Sequence, residues 1–149
     1  MEKINKLKTL RNLSITNLVL VLVSLVLTIF GIVAVFSVAA TAKDETSVVG
    51  GIIGAGLGIL LPNIGISIAI FVIAIVGAVQ ASKLQKIDQK HKNLFVLWLT
   101  LAILIGAIGL LGLIPVVGQF LGFANFVFGI VVYSITISNT TTELKQENK

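Results

Sequence analysis

Three stretches of this chain, Asn12–Ala42, Thr46–Ser82 and Asn93–Thr142, contain no Asp, Glu, Lys, Arg or His. Nearly all the charge sits in the short pieces beside them. A soluble domain has to scatter charge over its surface, at about 25% of its residues. Here 11% of 149 residues are charged and 56% are hydrophobic. Runs this long without charge point to hydrocarbon as the main solvent.

A helix rises about 1.5 Å per residue and needs about 20 apolar residues to cross a bilayer core. The apolar runs are continuous and do not alternate. Open sheet edges cannot be satisfied in lipid, so helices are the expected element. The expected fold class is an all-α integral membrane protein, a four-helix transmembrane bundle in a single domain. The spans are placed at about 15–39, 62–81, 94–113 and 118–137. Lys3, Lys6, Lys8 and Arg11 followed by an apolar run resemble a secretory leader. However, Ile15–Ala39 is 25 residues, against about 7–15 for a leader core, so it reads as a retained span.

Orientation follows from the basic residues. Lys3, Lys6, Lys8 and Arg11 precede span one; Lys83, Lys86, Lys90 and Lys92 lie between spans two and three; Lys145 and Lys149 follow span four. With four crossings all of these fall on one side, and only Lys43 lies opposite. Both termini are therefore expected in the cytoplasm. The predicted place is the cell membrane. Lys outnumbers Arg by ten to one, which, with frequent Ile and Asn, suggests an AT-rich bacterial genome.

The segment Val48–Ala81 has 34 residues, a helix of about 50 Å and too long for one straight crossing. Gly50, Gly51, Gly54, Gly56 and Gly58 crowd its first part, and Pro62-Asn63 interrupts it. A fifth span would put the Lys83–Lys92 loop on the side opposite the N-terminus. Span two is therefore expected at about Pro62–Ala81. The Gly-rich piece reads as a re-entrant, interfacial or kinked helical lead-in, with Pro62 and Asn63 at the kink. Pro115 marks a tight, uncharged hairpin between spans three and four.

Each span carries a stripe of small or polar residues. On span one, Asn17, Val21, Ser24, Thr28, Gly31 and Val35 repeat at four, three, four, three, four, the spacing of left-handed helix packing. Asn63, Ser67, Ala74, Ala78 and Ala81 share a face of span two, and Ala102, Gly106 and Gly109 a face of span three. On span four the stripe is Gly118, Gly122, Asn125, Gly129, Tyr133 and Thr136. In a bilayer, close approach at small residues drives helices together more than greasy side chains do. These residues are the expected packing faces, and Gly122→Ile and Gly129→Ile are both expected to be disruptive.

Several chemistries are excluded. No Cys is present, so there is no thiolate nucleophile or Cys-held metal. Gly54-Ala55-Gly56-Leu57-Gly58 lacks the Gly-Lys-Ser/Thr of a phosphate loop and the strand and later acid of a dinucleotide site. Its Gly50, Gly54 and Gly58 fit the small-xxx-small packing pattern. His91 reads as a solvated loop residue with no second ligand beside it. No carboxylate pair or Ser–base pair stands inside a span. No catalytic residue, cofactor or metal is expected, and no nucleic-acid partner.

Ile4, Leu7 and Leu10 among basic residues read as a short interfacial helix over 1–11. Together with Lys83–Lys92 it forms a basic collar that would attract anionic lipid headgroups. The tail 138–149 reads as polar, cytoplasmic and frayed, with a weak capping box at Thr140 and Glu143. The function expected is non-enzymatic, through helix–helix contact as an assembly partner, accessory subunit or homo-oligomer. The alternative is a transport or pore component with an uncharged path lined by Asn, Ser, Thr and Gly.

Overall fold

The computed structural model describes residues 2–41, 45–111 and 115–147, and side-chain surroundings at 45, 48, 52, 55, 60, 109–111 and 115–119 lie outside that description. Four long helices occupy nearly all of it: α1 (Glu2–Thr41), α2 (Glu45–Ile87), α3 (Lys92–Leu111) and α4 (Pro115–Glu147). All four are long and apolar enough to cross a membrane.

The helices form for local reasons. Glu2 lies in the first turn of α1, and Lys86 and Lys145 lie in the last turns of α2 and α4. Each of these charges complements the helix dipole. Ser and Thr hydroxyls inside α1 and α4 return to the carbonyl four residues back: Ser14 to Leu10, Thr28 to Ser24, Ser37 to Val33 and Thr140 to Thr136. Those groups therefore need no other partner.

α2 differs from the sequence expectation. It is one helix of 43 residues with Pro62 inside it, about 64 Å long. The Gly-rich piece is helical and continuous with the rest of α2. Pro62 removes a donor to the carbonyl of Gly58, and Gly58 itself has no described atom close to where a β-carbon would stand.

The turn between α2 and α3 is tightly built. Asp88 is extended (φ −146, ψ 111), caps a 3-10 turn over Gln89–His91, and accepts from the Lys90 N–H at 3.1 Å. Its own N–H reaches the Leu84 carbonyl at 3.0 Å. Pro115 is the first residue of α4, a position where its missing N–H costs nothing. The hairpin before it lies outside the described residues.

The chain divides into two compact units, and the division falls inside α1 and α2. The first comprises Met1–Val19 and Ile70–Lys149 and holds parts of all four helices. Its core is Leu7, Leu10, Ala74, Ala78, Ala81, Leu84, Leu94, Trp98, Leu101, Val132, Tyr133 and Leu144. Leu7 and Leu10 thus face protein at the start of α1. The N-terminal turns run without a break into the rest of α1. The tail is not frayed: α4 runs to Glu147, and Thr140, Glu143 and Leu144 are buried. Thr140 lies inside the helix and caps nothing.

The second unit, Leu20–Ala69, is the far part of α1 with the near part of α2. Among the described residues it has no buried hydrophobic side chain, while Phe30 and Phe36 are 68% and 71% exposed. A groove of about 340 Å³ runs between its helices, beside Thr28, Gly31, Ile59 and Asn63.

Candidate functional site

In the first unit, α1 and α4 pack antiparallel in one register. Lys3 Nζ donates to Glu147 Oε1 at 2.9 Å, and Asn17 Nδ2 donates to the Tyr133 hydroxyl at 3.1 Å. In both pairs the residue numbers add to 150. The stripe found on span one extends back along the same four-three spacing through Ser14, Leu10 and Leu7 to Lys3, all of them buried except Lys3. The stripe on span four extends forward from Tyr133 through Thr136, Thr140 and Glu143 to Glu147. The period of both stripes thus carries on beyond Asn17 and Thr136 into the polar ends.

Those polar ends form an ion-pair cluster. Lys3 Nζ is 2.8 Å from Glu143 Oε1 and 3.5 Å from Asp88 Oδ2. Lys90 Nζ is 2.6 Å from Glu143 Oε1 and 3.5 Å from Asp88 Oδ2. His91 Nε2 lies 3.2 Å from Glu143 Oε2 and 3.9 Å from Asp88 Oδ2. One carboxylate on α4 thereby ties together the start of α1, the α2–α3 turn and the end of α4.

The cluster is electrostatically self-consistent. Burial alone would push the Glu143 carboxyl up, but the ammonium groups of Lys3 and Lys90 outweigh it and hold it below its ordinary value. Glu143 and then Glu147 hold the Lys3 ammonium well above the usual lysine range. Contact with Glu143 also raises Lys90, and the Lys90 backbone N–H lowers Asp88. Hydrogen bonds between opposite charges set the directions for Glu143, Lys3 and Lys90, and a backbone hydrogen bond sets that of Asp88.

His91 is thus not a solvated loop residue: it is only 6% exposed. The 3-10 turn folds it inward, and the buried end of α4 brings Glu143 to it. Asp88, His91 and Glu143 each place one ligand atom within 4.8 Å of the others, a set able to hold a metal ion. Lys3 and Lys90 already neutralise that carboxylate in this structure, and no catalytic base–nucleophile pair accompanies it.

Further along the unit, polar side chains pair across helices. Trp98 Nε1 donates to Thr136 Oγ1 at 3.1 Å, and Thr136 Oγ1 donates to the Val132 carbonyl at 2.7 Å. The Trp98 and Tyr133 rings meet at 5.7 Å and 54°, an inclined geometry that aromatic pairs favour. The Trp98 ring also covers Gly77, with no room for a β-carbon there. Gly77 is absent from the span-two stripe because its partner is the face of a ring, which a periodicity of small residues on one helix does not reveal.

The structure sorts the remaining stripe residues. Ala74 is in the core, and Gly129 packs at ordinary contact distance from Tyr133 and Leu101. Gly106 lies near Phe71, and Ala102 is half-buried. In the second unit Ser24 Oγ donates to Asn63 Oδ1 at 2.9 Å, and a β-carbon on Gly31 would come within 2.8 Å of Ile59. Thr28 and Ser67 are exposed. Asn125 is half-buried, and its Oδ1 is without a hydrogen bond. Gly122 meets no described atom within 4 Å, so the disruption expected of Gly122→Ile has no steric basis among the described residues. The packing of Gly109 and Gly118 lies outside the described residues.

Comparison with known proteins finds no matching family model, no matching curated protein and no matching solved structure. The class defined by the fold is a helical protein with four helices suited to membrane crossing.

Proposed function

We propose that the chain is a multi-pass protein of the cell membrane with both termini in the cytoplasm. It acts without catalysis, through helix–helix contact, as an assembly partner, accessory subunit or homo-oligomer. One observation carries this reading. Gly50, Gly54 and Gly58 recur every fourth residue on α2, and no described atom lies within 4 Å of the place a β-carbon would take on any of them. At about 100° per residue they centre well away from Ile59, which touches Gly31 of α1, while Gly51, against Val38, borders the same face beside Gly58. A small-residue face of this kind brings two helices into close contact in lipid, and within the described chain nothing uses it.

Gly54→Leu tests the reading without disturbing internal packing. The expected result is a folded protein that loses its partner, or its own second copy, on purification in mild detergent. Unchanged assembly by Gly54→Leu would overturn it. Orientation is tested separately: an impermeant amine reagent on intact cells should leave Lys86 and Lys149 unlabelled. A chain that stays in solution without detergent would remove the membrane reading altogether.

A transport or pore role is the second reading. Thr28 and Asn63 beside the groove of the second unit favour it. Solute flux through liposomes holding this protein alone would establish it.

A further inference from the structure

Two features of the α2–α3 face in the first unit belong together. The first is a groove of about 430 Å³, apolar along Val79, Leu99 and Ala102 and ending at Ser82, Lys83 and Lys86. That volume falls within the range of small-molecule pockets. The groove reaches from Ile75 to Lys86 on α2, roughly 16 Å along the helix axis. Its polar groups are all at the end nearest the α2–α3 turn.

The second feature is charge without a partner. Lys3 and Lys90 sit on the acids of the ion-pair cluster, and Lys6 pairs with Glu2. Among the described residues, no carboxylate lies within ion-pairing distance of Lys83 or Lys86, and both are exposed. They stand one turn apart, at i and i+3, so both ammonium groups can reach one anion.

We infer that this groove binds an anionic phospholipid of the cytoplasmic leaflet. The phosphate sits between Lys83 and Lys86 with the Ser82 hydroxyl as a further donor, and an acyl chain lies along Val79, Leu99 and Ala102. The inference rests on the multi-pass reading above. A free phosphate would leave the apolar length unused, and an uncharged lipid would leave two cations unmatched. A helix about 10 Å across over this length fills on the order of 1,200 Å³, far more than the groove offers.

The test is native mass spectrometry after reconstitution in nanodiscs of phosphatidylcholine and phosphatidylglycerol. Wild type should retain one phosphatidylglycerol in preference to phosphatidylcholine. Each cation near an anionic lipid is worth about fivefold, so Lys83→Gln with Lys86→Gln should lower retention by roughly 25-fold. Lys8→Gln with Lys145→Gln removes the same charge elsewhere and should leave retention unchanged. Ala102→Phe, which fills the apolar length, should lower it with both lysines present.

Equal loss in the two double variants would mean a diffuse basic collar and overturn the site. Unchanged retention by Ala102→Phe, or displacement by soluble glycerophosphoglycerol, would also overturn it. A variant that fails to fold shows in its circular dichroism, and the other variants then decide. If the protein depends on detergent and is helical but shows no lipid preference, only this inference falls. If it needs no detergent, the multi-pass reading falls with it.

Discussion

The indole ring of Trp98 occupies the space that a β-carbon on Gly77 of α2 would need. Trp98 is fully buried and anchored through Nε1 to Thr136 on α4. The ring therefore joins α2, α3 and α4, and it cannot swing aside without giving up that hydrogen bond.

Gly77→Val should consequently destabilise the first unit by about 1–3 kcal/mol, the usual cost of overpacking a well-filled site. Gly54→Ala, on a face with no described neighbour, should cost nothing and gain a little from helix propensity. Thermal unfolding in detergent, followed by circular dichroism, checks the pair. Similar melting temperatures would contradict the packing described.

Tyr133→Phe removes the acceptor for Asn17 Nδ2. Asn17 Oδ1 already has no hydrogen bond, so the amide is left wholly unpaired in a buried place. Hydrogen bonds between membrane helices average about 0.6 kcal/mol, with a maximum near 1.7. The expected loss is at the upper end of that range, and a double-mutant cycle with Asn17→Ala should recover most of it as coupling energy.

The ion-pair cluster makes stability depend on pH. Glu143 and Asp88 have lowered values in the folded chain. Their contribution is complete above the unfolded carboxylate range, about 3.9–4.3, and is lost as pH falls through the lower folded values. Lys3 and Lys90 are raised, so their contribution is complete below about 10.4 and is lost as pH rises through the higher folded values. The melting temperature should be level around neutral pH and fall at both extremes. Glu143→Gln should lower the plateau and flatten both limbs. A steep acid limb surviving in that variant would place the titration elsewhere.

Gly122 and Gly129 share one stripe of α4 but not one environment. Gly129 is buried against Tyr133 and Leu101, whereas Gly122 is half-buried and has no described atom within 4 Å of where a β-carbon would stand. Gly129→Ile should reduce folded yield sharply in a membrane-expression assay, and Gly122→Ile should stay close to wild type. Equal behaviour of the two would mean that residues outside the described set, or another chain, pack on Gly122.

The number of helices and their apolar character follow from patterns along the chain. Charge is excluded from three long runs, and Asn17, Gly129 and Thr136 recur at helical spacing. Such properties are additive over neighbouring residues, so a linear reading captures them. The fate of the charged residues was not additive. Lys3, Asp88, Lys90, His91 and Glu143 come from three separate parts of the sequence, and each alone reads as a solvated polar end. Only when α1 and α4 lie antiparallel and the 3-10 turn folds His91 inward do these charges come within ion-pairing distance, with His91 and Glu143 buried. The same holds for Gly77, whose smallness matters because of a tryptophan 21 residues further on. Composition determined the solvent these helices suit; folding determined which charges meet, because electrostatic and steric contacts depend on distance through space and not along the chain.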